Sequence, residues 1–191
     1  HEILERLYQF VRKGTVPPLT QVLKRYEANF DAGYNPEKIR IVRSNLSRSH
    51  YRTMGATGIE NYYRRHYPFD GEETLGLERP IRLTIDSAGQ YRIRGIVDRL
   101  VRAPDGAIEI HDYKTSARMP AAKFLLRDRQ LSLYEMAIRN EGFDGEIRLV
   151  WWYVTPNRMF VTRRSQDELD QVKKDVIKLI DSIRIESSWE P

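Results

Sequence analysis

The sequence predicts an α/β fold of the α+β kind, a mixed central β-sheet flanked by helices. Three observations predict it. Two runs rich in Ile, Val and Tyr flank Pro104-Asp105-Gly106, a hairpin signal in which Pro presets φ and Gly accepts the left-handed conformation. Helical stripes lie at both ends of the chain: Ile3, Leu4, Leu7 and Phe10 at the start, and Leu169, Val172, Val176, Leu179 and Ile183 near the finish. Between them, the run from Ile147 to Thr155 is strongly apolar and aromatic, as a buried strand should be.

In chain order, the first stripe gives a helix from His1 to about Lys13, broken at Pro17-Pro18. A second helix spans Thr20 to Phe30 and ends near Gly33. After Asn35-Pro36 comes a basic segment, helical from about Ser47 to His66 despite Gly55 and Gly58. Strands are expected at about 74–86, 90–101 and 107–114, with Ser87-Ala-Gly89 closing the first hairpin. A helix over about Ala121–Asn140 carries Leu126, Gln130, Leu133, Tyr134 and Ala137 at helical spacing, so Gln130 and Tyr134 project together one turn apart. Met159 to Arg163 is the hairpin partner of the Ile147 strand across Pro156-Asn157. Ser165 to Glu168 reads as a capping box that opens the last helix.

The hairpin around Gly106 carries charges on a face that should be apolar. If Ala103 faces Ala107, Asp98 lies directly opposite Asp112. Alternation then places Ile96, Asp98 and Leu100 on one face with Ile108, Ile110, Asp112 and Lys114. Opposed carboxylates repel across a strand pair, and desolvating each costs several kcal/mol more. Something positive must sit between them. Lys114 supplies one charge, and a hard divalent cation such as Mg2+ suits the remaining oxygens. The competing reading is a buried Asp-Lys-Asp cluster. A register error of one residue would move one strand's side chains to the other face.

Asp98 followed by Asp112-Tyr113-Lys114 resembles the signature of the PD-(D/E)xK nucleases, and Gly95-Ile-Val-Asp-Arg99 with Asp112-Tyr-Lys-Thr115 resembles their RecB-type branch. Three further matches carry the resemblance. Gln130-Leu-Ser-Leu-Tyr134 is similar to that branch's Q-x-x-x-Y motif. His1-Glu-Ile-Leu-Glu5 resembles the helix whose leading His joins the metal site; a leading His could also be left by a purification tag, but the apolar stripe after it favours a native helix. Leu77-Glu78-Arg79 stands where a Glu precedes the hairpin, although an ordinary surface Glu would look the same.

The resemblance implies a restriction-endonuclease-like core and one RecB-like nuclease domain over 1–191, a fragment of a longer chain, with a basic helical insertion at about 34–70. It implies Mg2+ or Mn2+ held by His1, Asp98, Asp112 and the Tyr113 carbonyl, with Glu78 a candidate ligand for a second ion. Lys114 would position the attacking water or stabilise the transition state, and Gln130 and Tyr134 would orient the strand or the lysine. The implied activity is phosphodiester hydrolysis as a deoxyribonuclease, an exonuclease on DNA ends or single strands in repair or recombination. The other class of reading is a catalytically inactive nucleic-acid-binding module of a helicase-nuclease complex. Partners would be DNA and a helicase domain or subunit. Iron-sulfur members of the branch use cysteines flanking such a segment; this chain has none, so a cluster could come only through cysteines outside it.

Composition agrees with that reading. At 191 residues and 40% hydrophobic the chain can bury one sizeable core, so a single domain is expected. A net charge of +5 favours a polyanionic partner. Between Lys38 and Tyr67 the cations Lys38, Arg40, Arg43, Arg48, Arg52, Arg64 and Arg65 meet only Glu60, with Tyr51, Tyr62, Tyr63 and Tyr67 interleaved. Arg43, Arg48, Arg52, Tyr62, Tyr63, Arg64 and Arg65 are therefore candidate nucleic-acid contacts, cations for phosphates and rings for stacking. The alternative is a solvated helical face packed through its tyrosines. With no bilayer-length apolar stretch, signal-peptide pattern or repeat, the chain reads as soluble, cytoplasmic and bacterial.

Overall fold

A computed structural model describes residues 1–186. The expected α/β architecture is present as a five-stranded sheet in the order β1-β2-β3-β4-β5, built from β1 (Glu73–Thr84), β2 (Arg92–Arg102), β3 (Ile108–Lys114), β4 (Ile147–Tyr153) and β5 (Arg158–Thr162). Only β3 and β4 pair in parallel, so the sheet is mixed. A parallel pair needs a crossover, and α4 (Ala122–Leu125) with α5 (Gln130–Asn140) supplies it. The remaining helices are α1 (Glu2–Val11), α2 (Leu19–Gly33), α3 (Arg48–His66) and α6 (Gln166–Ile185). The sheet is covered on both faces. On one, α5 and α6 bury Ile81, Leu83, Leu100, Ile110, Leu149 and Trp151; on the other, α1, α2 and α3 bury Leu7, Tyr8, Tyr62, Tyr113 and Trp152.

All three predicted hairpins form. Ala103 N–H donates to the Ala107 carbonyl at 2.9 Å, and Gly106 has φ of +86°, the left-handed conformation its turn requires. The capping box at Ser165 and Glu168 is complete.

Three local expectations fail. The helix expected over 121–140 is two pieces, because Asp128 Oδ1 accepts from Gln130 N–H at 2.7 Å and opens a new helix there. Leu126, counted in the buried stripe, is 46% exposed. In α6 the core takes Leu169, Val172, Val176, Ile177 and Ile180, while Leu179 and Ile183 face outward. The stripe drifts because an α-helix turns every 3.6 residues while the buried line follows a twisted sheet.

The third failure shapes the site. Val97 and Leu100 lie in the same core cluster although strict alternation would oppose them, and Ile96 is 51% exposed. β2 therefore switches faces at Asp98. The β1–β2 ladder pairs Leu77 with Arg99 and Arg79 with Val97, which leaves Glu78 across from Asp98 with φ of +42°. A non-glycine residue in that region is uncommon, and such irregularities cluster at functional sites.

Candidate active site

The β2–β3 register is the expected one, Leu100 opposite Ile110 and Arg99 opposite His111, but the ladder stops there. The next pair would be Asp98 and Asp112. Instead Asp98 Oδ2 accepts the Tyr113 N–H at 2.7 Å, so a side chain replaces the missing backbone partner and the strands part at the site.

Into this opening α1 delivers His1. Its Nε2–H donates to the Tyr113 carbonyl at 2.7 Å, and its Nδ1 lies 3.6 Å from Asp98 Oδ1. Ligating atoms of His1, Glu78 and Asp98 all lie within 4.8 Å of one another. Burial pushes the carboxyls of both Asp98 and Glu78 upward; the Tyr113 N–H partly offsets this at Asp98, whereas the Asp98 charge adds to it at Glu78. Two carboxylates, one imidazole and a backbone carbonyl suit a divalent cation that accepts oxygen and nitrogen donors.

Asp112 sits beside this group in a second network. Lys114 Nζ lies 2.7 Å from Asp112 Oδ2, and Gln130 Nε2 donates to Asp112 Oδ1 at 3.0 Å. The Gln130 Oε1 accepts from Lys114 at 3.2 Å, and its Nε2 also reaches the Tyr134 hydroxyl at 3.1 Å. One amide from α5 thus bridges the carboxylate, the ammonium and the phenol. Burial pushes Asp112 up to about 6, with Lys114 pulling the other way. Burial lowers Lys114, but its pairing with Asp112 and the charges of Asp128 and Asp98 together raise it further, so the ammonium keeps its proton.

Tyr134 reaches the network because the residue facing it is Gly95. A Cβ at that position would lie 2.5 Å from Tyr134 Cε1. Gly95→Ala is therefore expected to displace the Tyr134 ring and loosen Gln130, costing about 1–3 kcal/mol of stability by overpacking. Urea unfolding measures this, and an unchanged midpoint would show that the ring is not fixed by that contact.

The candidate nucleic-acid residues divide. Tyr62 and Tyr63 are corrected: they are 0% and 7% exposed and cannot stack on a base. Tyr62 joins a chain of phenols, 2.8 Å from the Tyr8 hydroxyl and 3.1 Å from that of Tyr113, which ties α1 and α3 to β3; Tyr63 donates to the Pro17 carbonyl. Four other Tyr or Phe rings and Trp152 pack around them, so these two of the interleaved aromatics are core, whereas Tyr67 is exposed. Arg48 pairs with Asp31, Arg52 with Glu27, and Arg64 with Glu60. Arg43 has no ion pair among the described residues, and the exposed Arg65 lies over the Trp152 ring.

Sequence reasoning gave Arg99 no role. It is 1% exposed, its guanidinium carbon 3.6 Å from the centre of the Tyr8 ring, with Nε donating to Thr74 Oγ1 and Nη2 3.0 Å from Glu72 Oε2. It buttresses α1, and so His1, against the sheet. Its position next to Asp98 was the only signal.

Residues 1–190 match the family model described as the PD-(D/E)XK nuclease superfamily. No curated protein matches. Among solved structures, the one titled "Crystal structure of SSO0001" is similar over 82% of this chain and 84% of its own, at 15% identity and a TM-score of 0.41.

Proposed function

Since the chain belongs to the PD-(D/E)XK nuclease superfamily, whose members point to metal-dependent cleavage of nucleic acid, we propose that it is a RecB-like deoxyribonuclease. It uses Mg2+ or Mn2+ and acts as an exonuclease on DNA ends or single strands, in repair or recombination, within one domain over 1–191 that works beside a helicase. The single observation that carries the reading is the joined geometry of the site: His1, Glu78 and Asp98 gathered at one point, with Asp112, Lys114, Gln130 and Tyr134 linked through one amide. A buried structural salt bridge would need neither the gathered imidazole nor the parted strands.

In this proposal His1, Asp98, Asp112 and the Tyr113 carbonyl hold the cation, and Glu78 offers a further carboxylate. When bound, the cation would lower the pKa of water and neutralise charge on the scissile phosphate. Lys114 keeps its proton and places a positive charge where negative charge develops on the phosphate. Gln130 fixes both partners of the Asp112–Lys114 pair, and Tyr134 fixes Gln130. Arg43 and Arg65 offer cations to the DNA backbone; Arg48, Arg52 and Arg64 can do so by exchanging their carboxylates for phosphates. No helix among the described residues is long and apolar enough to cross a membrane.

Digestion of labelled single-stranded and duplex DNA tests the reading. Degradation with Mg2+ or Mn2+, abolished by EDTA, is expected. Tight binding without cleavage under either ion would overturn it in favour of an inactive binding module.

Cation affinity should also depend on pH. The ligands must be ionised to bind, and burial holds the Asp112 carboxyl at about 6. Calorimetric titration with Mn2+ should therefore show affinity falling by roughly tenfold per pH unit once pH drops below that value. Affinity constant down to pH 5 would remove Asp112 from the ligand set.

A further inference from the structure

Resting on the nuclease reading above, we propose that α4 and its flanking turns form a substrate contact in which Phe124 stacks on an unpaired nucleobase while Arg118, Lys123, Arg127 and Arg129 hold the phosphates around it. The segment from Thr115 to Arg129 joins two members of the candidate site, since it leaves β3 just after Lys114 and enters α5 at Gln130. Both ends of the segment are thus anchored at members of the site.

Phe124 is 60% exposed and Leu126 46%, on either side of Leu125, which is 4% exposed. An exposed aromatic ring on a solvated turn contributes little to folding, because its apolar surface stays in water. The segment is nevertheless held in place. Leu125 packs in the main core, and the buried Arg164 donates from Nη2 to the Leu125 carbonyl at 3.2 Å and from Nε to Ser132 Oγ at 3.1 Å. The backbone is thus pinned from below while the two apolar side chains point outward. A ring fixed this way loses little conformational freedom on binding, as a preorganised anchor should.

The charges around it are unmatched. The segment contains four cations, Arg118, Lys123, Arg127 and Arg129, all exposed, against one acid, Asp128, whose Oδ1 is engaged by the Gln130 N–H. None of the four has an ion pair among the described residues, although Arg48, Arg52 and Arg64 each have one. Lys123 instead lies with its Nζ 5.2 Å from the centre of the Phe124 ring. Free cations flanking an accessible ring are complementary to a single strand, whose phosphates are anionic and whose unpaired bases offer flat faces. A duplex interior offers no such face, so the occupant is an unpaired base of the strand that enters the site.

Fluorescence anisotropy of labelled oligodeoxynucleotides in EDTA tests this without requiring cleavage. Phe124→Ala is expected to weaken binding of a single strand about tenfold, the size of one base-on-ring stack. Phe124→Trp should restore affinity, and neither variant should alter binding of an oligonucleotide made of abasic sites. Equal affinity of wild type and Phe124→Ala for the normal strand would overturn the proposal, as would the same loss on the abasic strand. Failure of the wild type to cleave DNA with Mg2+ or Mn2+ would reject the nuclease reading instead, and the binding comparison would still decide the contact.

Discussion

Asp112→Asn is expected to abolish cleavage, lowering the rate on the order of 1,000-fold or more, while raising the thermal midpoint of the metal-free protein. Both effects have one cause. The carboxyl is buried against Lys114 and Gln130, and burial moves it from 3.8 to about 6. The folded protein therefore binds this proton more tightly than the unfolded chain does. The sign follows: stability conferred by the protonated carboxyl is greatest at low pH and is lost as pH rises from 3.8 towards 6. At neutral pH the ionised group costs up to about 3 kcal/mol, at about 1.36 kcal/mol per pK unit. Asn keeps the shape and the acceptor for Gln130 but removes the charge. The value of about 6 already includes the pull of Lys114; part of the gain is offset because the Asn amide nitrogen, unlike a carboxyl oxygen, cannot accept from the Lys114 ammonium, whose side chain is 32% exposed and can be solvated instead. A net rise of about 1 kcal/mol corresponds to a midpoint about 2–4 °C higher. Activity within a few-fold of wild type would remove Asp112 from the chemistry. A lower midpoint at pH 7 would refute the burial argument.

Arg99→Leu is expected to destabilise the fold by about 1–3 kcal/mol, the cost of leaving buried groups without the charged partner they bond to. The guanidinium stacks on Tyr8, donates to Thr74 and pairs with Glu72 while 1% exposed; Glu72 is 27% exposed and can be solvated, but the buried Thr74 hydroxyl and Tyr8 ring lose their partner. Urea unfolding measures the change. Arg99→Lys should rescue little of it, because an ammonium lacks the planar fork that stacks and donates in two directions. The consequence should reach the site, since Tyr8 lies on α1 and α1 begins beside His1. Mn2+ affinity is therefore expected to fall even in native buffer, where the variant remains folded. A destabilised variant with unchanged Mn2+ affinity would show that α1 is held in place without Arg99.

The legible parts of this chain were those governed by local rules. The turn at Gly106, the capping box at Ser165 and the apolar strand from Ile147 each depend on a few neighbouring residues, and each appears where expected. The β2–β3 register was legible for the same reason: a tight turn fixes the count from Ala103 and Ala107 outward. The less legible parts depend on partners distant in the chain. Alternation placed Ile96 in the core, but the face switch at Asp98 arises where β1, β3 and α1 meet, and no periodicity within β2 records it. Tyr62 and Tyr63 of α3 look alike in the sequence whether they face a nucleic acid or the sheet. Only the packing of Tyr8, Tyr113 and Trp152 against Tyr62 decides that they are core.

The sequence alone determined the mixed α/β architecture and the residue types of a metal-assisted hydrolase, because hydrophobic period, turn chemistry and charges on an apolar strand are written in neighbouring positions. The tertiary structure decided how those residues are grouped. It gathered His1, Glu78 and Asp98 at one point with the Asp112–Lys114–Gln130 network beside them, and it turned the ring of Phe124 outward on the segment that joins Lys114 to Gln130. Those outcomes depend on how helices from opposite ends of the chain settle on one sheet, and long-range packing of that kind leaves no local signal to read.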